Sequence, residues 1–185
     1  MNLYYTKCAL YAYPNILAVM EQIDELVERR ALTSMSDFSP CEEQCEKIIA
    51  LTNQKDVLIE LKLITDKVLT KITDYQKDCL DYKYFKQKPK EYFIGFDTTS
   101  RGYFRRQIRA VERVSELFTK FGATDEWFEQ NCLEMEFFRE LLRRVKLKEE
   151  KLKKNKQVNK SIQQSLSVAS KKDGQKIKVT KSIAV

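Results

Sequence analysis

The sequence predicts an all-α protein: an N-terminal helical bundle, a helix-turn-helix unit, one further amphipathic helix and a disordered basic tail. Three observations predict it. The 185 residues include only 4 Gly and 3 Pro, too few for the turns of a many-stranded sandwich or barrel. Glu, Lys, Leu and Gln, which long helices prefer, are plentiful. Apolar residues recur at three- and four-residue steps over several long stretches. At 43% hydrophobic and 33% charged residues, a chain of this length builds one well-buried core, or one core with a small helical appendage.

The first helix is expected from about Pro14, a good first-turn residue, to Leu32, with Ile16, Leu17, Met20, Ile23, Leu26 and Val27 on its apolar stripe. Ser39-Pro40 followed by Glu42 and Glu43 reads as the capped start of a second helix reaching Leu51, which Thr52 and Asn53 then punctuate. A third, Gln54 to Ile72, places Leu58, Leu61, Ile64, Thr65, Val68 and Leu69 on one face. Together these make an interaction bundle over 1–71.

Thr73-Asp74 offers a cap for a fourth helix, Tyr75 to Lys86, and Pro89 opens a short aromatic fifth, Lys90 to Gly95. Asp97-Thr98-Thr99-Ser100 caps a sixth helix that runs from Arg101 to Phe121, where Gly122 stops it. Residues 72–121 thus form the helix-turn-helix unit. Thr124-Asp125-Glu126-Trp127 starts a seventh helix within 122–150, whose stretch 121–145 can close the bundle or contact a second copy of the chain in a homodimer. From Lys151 the apolar density falls, and 151–185 is expected to be a frayed helix followed by a disordered Lys-rich tail, since it buries too little surface to offset its ordering entropy.

Several function classes are excluded by composition. No stretch has the roughly 18 uncharged apolar residues of a membrane span, and Met1-Asn2-Leu3-Tyr4-Tyr5-Thr6-Lys7 lacks the order of a signal peptide, so a soluble cytoplasmic protein is expected. The five cysteines, Cys8, Cys41, Cys45, Cys79 and Cys132, are odd in number and scattered, which suits reduced thiols in packing roles. Histidine is absent, removing His-based catalysis and His-ligated zinc. Cys41 and Cys45 are one helical turn apart but no neighbouring motif supplies two further zinc ligands. No Gly-rich phosphate cradle or nucleophile motif is present, so neither an enzyme nor a cofactor is expected.

The net charge of +7 is unevenly distributed. Residues 1–82 carry 9 basic and 14 acidic side chains, 83–113 carry 9 and 3, 114–142 carry 2 and 7, and 143–185 carry 14 and 3. Two basic islands therefore sit in an otherwise acidic chain, and segregated charge implies a charged partner. The sixth helix concentrates the first island. At about 100° per residue, Phe104, Ile108, Val111, Ser115 and Phe118 share one direction and form its expected core face. Gly102, Arg105, Arg106, Arg109 and Arg113 cluster opposite, flanked by Tyr103 and Arg101. Such a stripe repels itself unless an anion lies against it, and guanidinium groups suit phosphates and the acceptor edge of guanine. Gly102 allows close approach, and the N-terminal end of the helix favours phosphate.

The run Ile72-Thr-Asp-Tyr-Gln-Lys-Asp-Cys-Leu80, then Tyr82-Lys-Tyr-Phe85, then Ser100-Arg-Gly-Tyr-Phe-Arg-Arg-Gln-Ile-Arg-Ala-Val111 resembles the promoter-recognising region-four domain of bacterial sigma factors, especially its phage-type autolysin-regulator relatives. The likeness covers about 72–118. It implies a bacterial or phage setting, a core built on Leu80, Tyr84 and Phe85, and a recognition helix over about 100–118. Arg101, Gly102, Tyr103, Arg105, Arg106, Arg109 and Arg113 are then the DNA-binding candidates. Phe93 and the longer stretch Ile94 to Thr99 depart from the small residue and glycine turn usual in that family's second helix. Nothing in 1–71 resembles the promoter-melting or polymerase-core-binding regions, which points to a regulator and not to a complete sigma factor.

The leading expectation is a sequence-specific transcription regulator that binds double-stranded DNA. The alternative is a helical interaction module whose basic face binds an acidic protein such as RNA polymerase. RNA binding is a weaker third reading, because no aromatic platform on a sheet is visible. The Lys-rich tail fits either sequence-independent phosphate attraction or solubility.

Overall fold

The computed structural model describes residues 1–33, 41–86, 100–155 and 157. Every element among them is helical. They divide into two units, Met1–Val145 and Lys146–Val185.

The first unit begins with a helix that periodicity does not reveal. α1, Leu3–Ala12, is capped by Asn2, whose side chain accepts from the Tyr4 backbone N–H. Cys8, Ala9, Leu10 and Ala12 are fully buried, and Tyr4, Tyr5 and Tyr11 are partly covered. A helix that is buried nearly all round has no amphipathic stripe to read. Its neighbours explain its burial. Tyr5 stacks on Phe128 at 4.9 Å and its hydroxyl donates to Glu129 at 2.6 Å, while the Tyr11 ring lies 4.6 Å from Tyr84. α1 thus ties together segments far apart in the chain.

Tyr13–Asn15 form a 3₁₀ turn around Pro14, and α2, Ile16–Thr33, follows. α3, Cys41–Lys71, is one helix where the sequence suggests two. The expected break at Thr52-Asn53 does not occur. Thr52 turns its hydroxyl back onto the Ile48 carbonyl at 3.0 Å, which leaves the helix ladder intact. Asp24 pairs with Lys55 at 2.6 Å, and Tyr13 donates to Asp66, so α2 runs antiparallel along α3. Leu58, Leu61, Ile64, Thr65 and Val68 form the buried face of α3 as expected, with Leu69 half-buried. On α2, however, only Ile16 and Ile23 are buried, and Leu17, Leu26 and Leu32 are exposed.

α4, Asp74–Leu80, starts with a capping box: the Gln76 N–H donates to the Thr73 hydroxyl, and the Gln76 side chain accepts from the Thr73 N–H. It passes into a π turn, Asp81–Phe85, that places Tyr84 fully in the core. α5, Ser100–Lys120, is stopped by Gly122 at φ +97°. The Ala123 N–H reaches the Phe118 carbonyl at 3.0 Å and the Gly122 N–H reaches that of Thr119 at 3.2 Å, the paired bonds of a Schellman stop. Thr124 then caps α6, Asp125–Trp127, as its sequence suggests.

The seventh helix is not continuous from there. A second π turn, Phe128–Cys132, and a short turn precede the helical residues 136–145. Phe128 and Cys132, four residues apart, both enter the core, and Glu129 and Gln130 between them are exposed. Phe138 packs edge-on to Phe128 at 5.6 Å. One hydrophobic core runs from Cys8 to Leu142 and includes residues of α1, α2, α3, α5 and both π turns. Segments expected as a separate bundle, a helix-turn-helix unit and a closing helix share this core.

In the second unit, residues 146–155 and 157 are helical. The expected disorder beyond them lies outside the described residues, as do the fifth helix at 90–95, the caps Asp97 to Thr99 and the Ser39-Pro40 start. No helix among the described residues is long and apolar enough to cross a membrane.

Burial sets an alkaline limit on stability. Desolvation pushes the Cys8 thiol up to about 12. The bond to Glu129, then burial, pushes the Tyr5 phenol up to about 12, and burial, then the bond to Asp66, does the same to Tyr13. These groups hold protons in the native state that the unfolded chain releases above its own values of 9.0 to 10.0. Their contribution is therefore complete below about pH 9 and declines as pH rises toward 12. Urea midpoints measured across that range should fall steadily.

Candidate nucleic-acid interface

The arginine helix is built as a two-faced element, but its core face is rotated from the expected one. Tyr103, Gln107, Ala110, Val111, Val114, Leu117 and Phe118 are buried, centring the core direction on Val114. Phe104 is 47% and Ile108 55% exposed. The rotation is about 80° at roughly 100° per residue. Its cause is tertiary: α5 packs against α1, α3 and α4 together, and small Ala110 with Val114 allows those helices closer than Phe104 and Ile108 would. Truncations separate the two faces. Val114→Ala should cost about 2 kcal/mol or more, whereas Ile108→Ala should stay within about 0.5 kcal/mol in chemical denaturation.

The candidate contacts divide accordingly. Arg101, Arg105, Arg106, Arg109 and Arg113 are exposed, and Gly102 is half-buried. Tyr103, also among the expected DNA contacts, is 7% exposed and packs with Cys79 and Tyr82. Burial raises both the Tyr103 phenol and the Cys79 thiol. Arg105 lies about 180° from Val114, at the crest of the helix.

The arginines differ in what holds them. Arg106 lies over the Tyr75 ring, 4.8 Å from its centroid, and its Nη1 donates to the Tyr75 hydroxyl. Arg113 pairs with Glu116 at 2.8 Å. Arg101, Arg105 and Arg109 make no ion pair among the described residues. Arg106 and Arg109 also line an open cleft of about 400 Å³ with Thr73, Tyr75 and Gln76 of the α4 start. This cleft joins two arginines, a phenol, a hydroxyl and an amide, a set suited to hydrogen-bonding phosphate oxygens.

No family model, characterised protein or solved structure matches the chain. The functional reading therefore rests on its residues and their placement.

Thr73, Tyr75 and Gln76 escape a reading along the sequence as site residues. Thr73 is visible as a cap, but Tyr75 meets Arg106 across 31 positions. The run of residues quoted in the sigma-like likeness contains all three, without marking them as contacts. Gln107 is likewise invisible as a buried residue, being an amide among arginines.

Cys41 and Cys45 are exposed on α3, where the Cys41 hydrogen bond pushes the Cys45 thiol up. Among the described residues no three ligand-type side chains converge.

Proposed function

We propose that the chain is a sequence-specific duplex-DNA-binding transcriptional regulator that lays the exposed face of α5 into the major groove. One observation carries the reading: Arg101, Arg105 and Arg109 are exposed, without ion pairs among the described residues, on the side of α5 away from its buried anchor. An α-helix fits the major groove, and guanidinium groups there donate to guanine O6 and N7. Arg106, steadied by Tyr75, and the cleft at the start of α4 would hold the flanking phosphate backbone. Leu80, Tyr84 and Phe85 sit in or against the core, as the likeness to sigma region four implies.

Selection from a random duplex pool tests this reading. The full chain should enrich a defined motif with G at positions that protect α5, and recovery of no motif would overturn the sequence-specific part. Retention of an acidic protein with no retention of duplex DNA would replace it with the interaction-module reading.

A further inference from the structure

A second site lies on the other side of α5. A cleft of about 70 Å³ is formed where α5 meets α1 and the first π turn, lined by Leu3, Lys7, Lys83, Gln107, Ile108 and Val111 among others. Gln107 is only 3% exposed, and its Nε2 is buried with no hydrogen-bond partner among the described residues. A buried amide donor without a partner costs about 1–3 kcal/mol, so it is retained at a price that an incoming acceptor would remove. The charged residues lining the cleft are both lysines. Its rim is apolar, with Leu3 and Ile108 exposed.

We propose that this cleft receives a carboxylate side chain from an acidic, apolar protein segment. The carboxylate accepts from Gln107 Nε2 and is attracted by Lys7 and Lys83, while neighbouring apolar residues of the segment cover Leu3 and Ile108. Donors alone would suit any small anion, but beside the exposed Leu3 and Ile108 a carboxylate that arrives with hydrophobic neighbours buries apolar surface as well. Gln107 and Arg109 project about 160° apart around α5, so this surface is distinct from the arginine face and does not depend on the DNA-binding reading.

Titration of the ¹⁵N-labelled full chain with a short synthetic peptide of Glu interspersed with Leu and Phe tests the site, with a Gln-for-Glu peptide and acetate as the other arms. The Glu peptide should shift the Gln107 side-chain amide resonances saturably and bind on the order of tenfold more tightly than its Gln counterpart. Gln107→Met should weaken binding by a similar factor while leaving the urea midpoint unchanged or raised, because it removes an unsatisfied buried donor. Lys83→Gln, an exposed change, should weaken binding without touching the core, and decides the matter if Gln107→Met fails to fold. Three outcomes overturn the proposal: no saturable shift at Gln107, equal shifts and affinity with acetate, or peptide binding that survives Lys83→Gln and is lost in Arg105→Ala/Arg109→Ala.

Discussion

Replacing Arg105 and Arg109 together by alanine should lower affinity for duplex DNA by about 30-fold or more near 0.15 M salt, because each good guanidinium contact contributes about 1–3 kcal/mol and two together at least about 2 kcal/mol. Both side chains are exposed and make no ion pair among the described residues, so the double variant should unfold at the same urea concentration as the parent. Arg143→Ala is the matched control. Arg143 is also exposed and basic, but it pairs with Glu140 at 2.8 Å away from α5, and its loss should leave affinity within about twofold. Gel-shift titrations of the three proteins against the same selected duplex separate a specific face from general basicity.

The second large effect is on the fold. Phe118 is fully buried near the end of α5, in the core that also contains Leu10, Val68 and Phe128. Phe118→Ala should cost about 3–5 kcal/mol through lost burial and the cavity left behind. Against a total of about 5–15 kcal/mol, that removes a large share of the stability. Denaturation followed by circular dichroism should show one lowered transition. If helices α2 and α3 unfolded at an unchanged midpoint while α5 unfolded early, the shared core would not be cooperative.

The all-helical class was legible from few turn residues and from apolar spacing, and so were the buried face of α3, the Thr73 and Thr124 caps and the glycine stop at Gly122. Each depends on neighbours in sequence. What was not legible depends on distant ones. α1 has no stripe because α5, the π turn at Tyr84 and Phe128 surround it. Thr52 reads as a break only when the supporting contact of α2 with α3 is unknown. The face of α5 was displaced for a related reason: Phe104 and Ile108 are the larger apolar residues, yet Ala110 and Val114 fit the narrow space between three helices. The exposed arginines survive that rotation because Arg105 lies diametrically opposite Val114. Tyr103 is on the buried side of that rotated face, packed with Cys79.

The π turns explain part of the mismatch as well. Each adds a residue to its turn, so a strict 3.6-residue pattern drifts out of phase at Asp81 and again at Phe128.

The measurement that bears most directly on the arginine face is the salt dependence of duplex-DNA binding by the full chain and by Arg105→Ala/Arg109→Ala, followed by fluorescence anisotropy. The parent should show a steep linear fall of log affinity with log salt, set by its phosphate contacts, and the variant, which loses guanine contacts, should bind more weakly at every salt concentration. Equal affinities for the two proteins across the salt range, or no measurable binding by the parent at low salt, would contradict the assignment of α5 as the DNA-contacting helix.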